Sequence, residues 1–235
     1  ADRLAKQVTN AIMRRLVQAR GEALVSGGLA INEDGFVQNV DFGRRPDHTV
    51  TAAATWNTAA DPIADLEQWR AAYVDNTGVD PDQILVSAKV MAALQRNEAM
   101  RKYFGTNAPL MLNRDNINSV LVGYGLPALT VVTARAAGKS VLSDEHVVFT
   151  ASGAGATVWG STVEAMDPRY SLQDAALPGL VVGAYAEDDP NIKWIRGTGV
   201  ALPILANPDL TLAAKVLDAA AASTPVEPAP TDPAA

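Results

Sequence analysis

The opening segment of the chain is the feature that most constrains its fold. Leu4, Val8, Ile12 and Leu16 recur every four residues, which is the spacing of one face of an α-helix. The pattern predicts a single long amphipathic helix that starts with the first residue and ends at the glycine pair beginning with Gly27. At about 1.5 Å per residue, such a helix is roughly 40 Å long. It cannot bury its own apolar face, so later parts of the chain or another chain must cover that face.

Composition limits the chemistry that is available to this chain. Its 235 residues, of which 48% are hydrophobic, suffice for one large domain or two small ones. It contains no cysteine, which excludes disulfides, thiolate metal sites and cysteine nucleophiles. The only two histidines, His48 and His146, have polar neighbours and are predicted to be exposed loop residues. We therefore expect no catalytic residue, no metal site and no cofactor. The sequence has no run of about 18 apolar residues, which predicts a soluble protein without a membrane partner.

Charge is distributed unevenly along the sequence. The net charge is −7, yet the first twenty residues contain five basic residues and one acidic residue. A helix that is basic in this way could face a polyanion such as packaged nucleic acid. It could also be a solvated face that forms ion pairs with neighbouring acidic groups. The residues alone leave both interpretations open for Arg14 and Arg15.

The remainder of the chain mixes helical and strand patterns, which indicates an α/β or α+β fold. Apolar alternation predicts a β-hairpin over 29–42, and Asp61 followed by Pro62 predicts the start of a helix. A buried strand over 83–87 and a helix over 88–104 follow. The later predicted elements are a helix over 114–122 and strands over 128–133, 147–150, 156–163, 179–186, 192–199 and 200–205. Residues 219–235 are mainly Ala, Pro and Thr, and this composition predicts a disordered tail.

Short motifs spread over most of the chain have a recognisable order. They include Val40-Asp41-Phe42-Gly43-Arg44, Trp56, Ala60-Asp61-Pro62-Ile63-Ala64-Asp65-Leu66, Gly125-Leu126-Pro127, Val158-Trp159-Gly160-Ser161-Thr162, and Lys193-Trp194 after Asp189-Pro190. In kind and order these motifs resemble the lambda-type major capsid proteins of tailed bacteriophages. Members of that family carry an N-terminal arm and an extended loop before the long helix, whereas this sequence begins within the helix.

The resemblance implies the α+β capsid fold of the Hong Kong phage 97 type. In that fold a long spine helix and a β-sheet form a peripheral domain, and an axial α/β domain lies at the centre of the capsomer. By position, residues 1–60 would be peripheral, residues 61–178 axial, and residues 179–218 would return to the peripheral domain. The returning segment would add a third strand to the hairpin over 29–42.

The resemblance also implies a function, which is assembly. The chain would be a major capsid protein that forms the hexamers and pentamers of an icosahedral head around double-stranded DNA. Its partners would be copies of itself, scaffold, portal and decoration proteins, and the DNA, contacted non-specifically; it would be assembled in the host cytoplasm and remain in the virion. The expected subunit-interface residues are Arg14, Arg15, Glu187, Asp188, Asp189, Lys193, Trp194 and Arg196. Lys193 and Arg196 would meet the acidic turn over 187–189 of a neighbour.

Two other functions remain open at this stage. An encapsulin-like nanocompartment shell would share the fold but would hold an enzyme cargo and no DNA. A small-molecule enzyme of α/β type would need a polar pocket, for example around Asp144, Glu145 and His146.

Overall fold

The structure is a computed structural model that describes residues 2–33, 36–57, 60–105, 112–136, 138–167, 179–188 and 191–218. The helices are α1 (Asp2–Ser26), α2 (Pro62–Thr77), α3 (Ala88–Arg96), α4 (Glu98–Lys102) and α5 (Arg114–Gly123). The strands are β1 (Gly28–Glu33), β2 (Phe36–Asp41), β3 (Thr49–Thr51), β4 (Gln83–Ser87), β5 (Leu129–Val132), β6 (Arg135–Ala136), β7 (Lys139–Ser140), β8 (His146–Thr150), β9 (Ala156–Trp159), β10 (Leu180–Asp188), β11 (Asn191–Gly199), β12 (Ala201–Ile204) and β13 (Thr211–Lys215). Helices and strands are mixed as the α+β prediction requires.

The long opening helix is present. α1 has 25 residues and ends at Gly27, whose backbone adopts a left-handed φ of 72° and donates its N–H to the Ala23 carbonyl at 2.9 Å. β1 and β2 follow as an antiparallel hairpin in which Leu29 lies opposite Val40. The spacing of apolar residues therefore located both elements correctly.

A mixed five-stranded sheet lies at the centre of the fold, with the strand order β3-β13-β8-β4-β5. β8 is antiparallel to both of its neighbours, β13 and β4. At one edge β3 pairs with β13 in parallel, and at the other edge β5 pairs with β4 in parallel. Strands that are distant in sequence are thereby joined, because β13 follows β8 by about 60 residues and pairs with it directly.

The two faces of this sheet pack against different helices. Successive side chains of a strand point to opposite faces, and in β8 Val147 and Phe149 belong to the large core that includes residues of α2, α3 and α5. Val148 points the other way and packs with Leu142 and with Leu24 of α1. The C-terminal half of α1 therefore covers the face of the sheet that the other helices leave free.

The helix predicted over 88–104 is two helices. α3 ends at Arg96, and the side chain of Asn97 caps α4 by accepting the Met100 N–H at 2.9 Å. The Asn97 amide also donates to the carbonyls of Trp56 (3.0 Å) and Ala60 (3.1 Å). The break arises because a buried asparagine satisfies the backbone of a distant segment, which helical periodicity cannot reveal.

The prediction that both histidines are exposed is wrong. His48 is fully buried and stacks on Tyr73 with ring centroids 5.7 Å apart. Its Nδ1 lies 3.1 Å from the Thr211 carbonyl, which can only accept, so Nδ1 carries the proton and Nε2 accepts from the Asn76 amide at 3.2 Å. His146 is half-buried at the start of β8. Polar neighbours in sequence do not imply exposure when the ring nitrogens have partners from other elements.

The third strand predicted for the β1–β2 hairpin is not found in the part of the chain that the structure describes. β1 and β2 pair only with each other there, while β10 pairs with β11, β12 with β9, and β13 joins the five-stranded sheet. The domain boundaries at residues 60 and 178 stay a prediction. The tail predicted over 219–235 lies outside the described residues.

Candidate subunit interface

α1 consists of two halves in different environments. In its C-terminal half Leu16, Ala19 and Ala23 are buried, with exposed fractions of 7% or less. In its N-terminal half Leu4 is 55% exposed and Met13 is 36% exposed. The helix is thus anchored at one end, and the other end keeps apolar surface that the described residues of its own chain do not cover.

Close contact with the segment after β7 fixes the anchored half. A Cβ placed on Gly21 would overlap the Val141 carbonyl oxygen and lie 2.8 Å from the Val141 carbonyl carbon. Only glycine allows the helix to approach this backbone so closely. Leu24 and Val25, one turn later, pack on the same region of the core.

Arg44 holds the C-terminal end of α1. Its two terminal nitrogens donate to the carbonyls of Leu24 and Val25, both at 2.8 Å, and its Nε donates to the Thr49 hydroxyl at 3.1 Å. The last carbonyls of a helix have no partner within the helix, so a guanidinium group stabilises them strongly. Burial lowers the pKa of Arg44, and the nearby Asp41 carboxylate partly offsets this effect. Arg44 therefore links the anchored half of α1 to the linker before β3.

The N-terminal half of α1 is covered on one side by the β10–β11 hairpin. A Cβ on Gly197 would overlap Val8 Cγ1 and lie 3.4 Å from Ile12 Cδ1, and a Cβ on Gly199 would lie 3.0 Å from Ile12 Cγ2. The two glycines therefore mark the face of β11 that packs against the helix. Val8 and Ile12, which the apolar stripe singled out, contact this face.

The other face of β11 carries exposed side chains. Because side chains alternate along a strand, Ile192, Trp194 and Arg196 lie on the face opposite Gly197. Ile192 is 37% exposed and Trp194 is 46% exposed. Trp194 is an aromatic residue, a residue type that is enriched in protein–protein interfaces.

The eight predicted interface residues occupy two places. Lys193, Trp194 and Arg196 lie on β11, with Glu187 and Asp188 on its partner strand β10, whereas Arg14 and Arg15 belong to α1. Asp189 lies outside the described residues. Arg15 and Arg196 nevertheless line one groove of about 490 Å³ between α1 and the late strands. The structure thus brings one member of each group together.

Two of the predicted interface arginines have partners within their own chain. Arg196 forms an ion pair with Glu164 at 3.1 Å, and Arg15 lies 3.8 Å from Glu22. Arg14 and Lys193 are exposed. An exposed lysine is therefore a simpler candidate for contact with a neighbour than Arg196, whose charge already has an internal counterpart.

Sequence reasoning missed Ile192, Gly197 and Arg44 as residues of this region. The signal for the first two was present, because Ile192 shares one face of the predicted strand with Trp194, and Gly197 shares the other face with Gly199. Arg44 belongs to a motif that was noted, but its role depends on a fold that brings residue 44 to the end of α1.

The described residues around the histidines form local turns. Ser143 Oγ lies 2.8 Å from His146 Nδ1 and accepts the Glu145 N–H at 3.3 Å. Burial lowers the pKa of His146; the Glu145 carboxylate raises it to a smaller extent, and the cations Lys215 and Arg44 lower it further. Within the described ranges no group of three or more His, Asp or Glu residues is placed to hold a metal ion. None of the described helices is long and apolar enough to cross a membrane.

Solved structures with a similar fold include capsid proteins of a prophage and of a phage. A capsid protein of a prophage of Escherichia coli CFT073 is 18% identical with a TM-score of 0.66, covering 90% of this chain and 65% of that one. The capsid protein of the myovirus XM1 is 14% identical with a TM-score of 0.51 (89% and 63% covered). A phage-related protein of Bordetella bronchiseptica RB50 is 17% identical with a TM-score of 0.51 (73% and 57% covered). This chain therefore spans less than two thirds of the length of each of these structures.

Sequence comparison is consistent with these structural relatives. No curated protein matches the chain by sequence. The family described as phage major capsid protein E matches residues 1–216, which is nearly the whole of the chain that the structure describes. The fold predicted from the resemblance is confirmed by the capsid structures. The chain belongs to the phage major capsid protein E family and has the α+β capsid fold of the Hong Kong phage 97 type.

Proposed function

We propose that this protein is the coat subunit of a tailed phage and that it assembles into the hexamers and pentamers of an icosahedral head around double-stranded DNA. The observation that carries the proposal is the long helix α1, because its N-terminal half leaves Leu4 and Met13 exposed. Family membership over residues 1–216 supports the same reading. Copies of the chain would cover the apolar surface that the described residues of one chain leave exposed.

In this proposal the protein works by association and performs no catalytic step. Each subunit offers several modest contacts, and the closed symmetry of rings and shell makes their sum large. Weak single contacts allow a misplaced subunit to leave before the shell closes. Scaffold, portal and decoration proteins would act on the same assembly in the host cytoplasm, and the product would be the virion. Residues 1–60 and 179–218 would form the peripheral domain and residues 61–178 the axial domain.

The proposed contact between neighbours joins β11 to the acidic turn of the next subunit. Lys193 and Trp194 are exposed on opposite faces of β11. Glu187 and Asp188, in the last two positions of β10, would supply negative charge together with Asp189, which lies outside the described residues. Arg15 and Arg196, which line one groove, would lie in the surrounding contact surface. Opposite charges of this kind select the correct partner and register, while Trp194 supplies apolar area.

Charge reversal at Lys193 tests this contact. We expect Lys193→Glu to leave the free energy of unfolding unchanged, since the side chain is exposed, and to abolish shells in electron micrographs. Lys102→Glu on α4 makes the same change in charge at another exposed position and should assemble normally. Reversing Arg196 would be a poorer test because it would also break the pair with Glu164. Normal shells from Lys193→Glu would refute the contact.

The wild-type protein tests the function itself. Shells several times wider than one subunit, with DNA protected from nuclease, are the expected result in electron micrographs. Shells that hold a protein cargo and no DNA would instead identify a nanocompartment. A compact monomer at high protein concentration would rule out both kinds of shell.

A further inference from the structure

A basic strip runs along the exposed side of α1. Arg3, Lys6 and Arg14 are all exposed and share the face of the helix that points away from Val8 and Ile12, which contact β11. None of the ion pairs among the described residues involves these three side chains. The strip therefore carries positive charge without an acidic counterpart from the described part of its own chain.

At its C-terminal end the strip borders a groove between α1 and β6. The groove has a volume of about 230 Å³. Its lining contains two arginines, Arg14 and Arg135, together with Asn10; the other five lining residues are apolar, and none is acidic. Arg135 is exposed and donates one hydrogen bond, at 2.9 Å, to the Gly138 carbonyl of its own turn. Two guanidinium groups beside one groove repel each other. An anion bound between them would be attracted by both, and this attraction would outweigh the repulsion.

We propose that this basic groove and strip bind phosphate groups of the packaged nucleic acid, an inference that rests on the proposed function. Arg3 and Arg14 are separated by roughly 16 Å along the helix axis, a distance comparable to about five phosphates on one strand. Because the chain as a whole is acidic, it repels DNA except where basic residues are gathered on one surface. The strip binds the sugar-phosphate backbone of the nucleic acid and makes no contact with base edges. Its binding is therefore independent of base sequence, as packaging of an entire genome requires.

The residues of the strip favour nucleic acid over an acidic protein segment. Between the three cations lie Gln7 and Asn10, whose amides also donate hydrogen bonds to phosphate oxygens. A protein interface would need large apolar or aromatic side chains at its centre. Met13 is the only such side chain exposed along this strip, at 36%.

Salt dependence of DNA binding tests the proposal. The double variant Arg14→Gln/Arg135→Gln of the full chain, kept unassembled, is titrated with a short duplex DNA at several salt concentrations. Each lost phosphate contact lowers the slope of log K against log salt by about 0.9, so we expect this slope to fall by about 1.8. The matched control, Lys89→Gln/Lys102→Gln, removes two exposed charges on α3 and α4 and should leave the slope unchanged.

A second variant keeps the proposal testable if the first variant does not fold. Arg3→Gln/Lys6→Gln changes two exposed side chains at the free end of α1 and should also lower the slope. An unchanged slope in both variants, with shells still visible in electron micrographs, overturns the phosphate site and leaves the capsid function intact. Loss of shells with an unchanged slope also overturns it and assigns the groove to an acidic segment of a neighbouring protein.

Discussion

The two halves of α1 are alike in sequence pattern and different in environment. In the C-terminal half, Leu16 is buried, Gly21 touches the Val141 backbone, and Arg44 binds the last carbonyls. In the N-terminal half, one side packs on β11 and Leu4 remains 55% exposed. The comparison teaches that an apolar stripe defines which face of a helix is buried, but not how far along the helix the same chain covers it. In the proposed assembly, the anchored half serves the fold and the free half serves association.

The contact between Gly21 and Val141 offers the strongest test of this division. Gly21→Val places a branched side chain where a Cβ already overlaps the Val141 carbonyl, so the helix or the facing backbone must move. We expect a loss of about 4 kcal/mol or more in the free energy of unfolding, above the usual overpacking cost of about 1–3 kcal/mol, because the overlap is with backbone atoms. Chemical denaturation followed by circular dichroism measures it.

Gly123 provides the matched control for this substitution. It is the last residue of α5, and a Cβ placed on it meets no atom within 4 Å. Gly123→Val should therefore change the free energy of unfolding by no more than about 0.5 kcal/mol. Similar losses for both variants would mean that the close approach at Gly21 does not anchor α1.

A pair of leucines compares the two halves directly. Leu16→Ala removes a side chain that is 6% exposed, and we expect it to cost about 3 kcal/mol in the free energy of unfolding. Leu4→Ala makes the same chemical change at the free end and should cost no more than about 0.5 kcal/mol. If the free half serves association, Leu4→Ala should still reduce the yield of shells in electron micrographs. Equal losses of unfolding free energy would show that the whole helix is anchored.

Much of the local structure could be predicted from sequence because its causes are local. The spacing of apolar residues located α1, and Asp61 before Pro62 marked the start of α2, where the Asp61 carboxylate accepts the Ile63 N–H at 3.1 Å. The family motifs then identified the fold that the capsid structures confirm. The first two of these signals lie within a few residues of the structure that they determine.

Errors arose where a distant segment decides the outcome. His48 is buried because the Thr211 carbonyl and the Asn76 amide satisfy its ring, and Asn97 divides a helix because it binds the carbonyl of Trp56. The third strand expected beside β1 and β2 depends on pairing across more than 100 residues. For the interface the sequence identified exposed Lys193 and Trp194, but it could not reveal that Arg196 is paired with Glu164.

The stability of the anchored half of α1 should also decrease at low pH, whereas the stability of the free half should not. His146 lies where the charge of Arg44 affects it, and burial lowers its pKa below the ordinary value of about 6.5. As the pH falls below that value the unfolded chain takes up a proton before the folded chain does, so the free energy of unfolding decreases and then levels off below the folded-state pKa. Residues 2–14 contain no histidine.

Replacing His146 should remove this response. Between about pH 7.5 and about pH 5.5 the wild type should lose more unfolding free energy than His146→Gln does, because glutamine has no proton to gain. Hydrogen exchange should place the loss in the amides of residues 16–26, with the protection of residues 2–14 changing less. Parallel pH profiles for the two proteins would show that His146 does not control the anchor. A uniform loss of protection along α1 would show that its two halves unfold as one unit, and that the contrast between them concerns surface exposure and not stability.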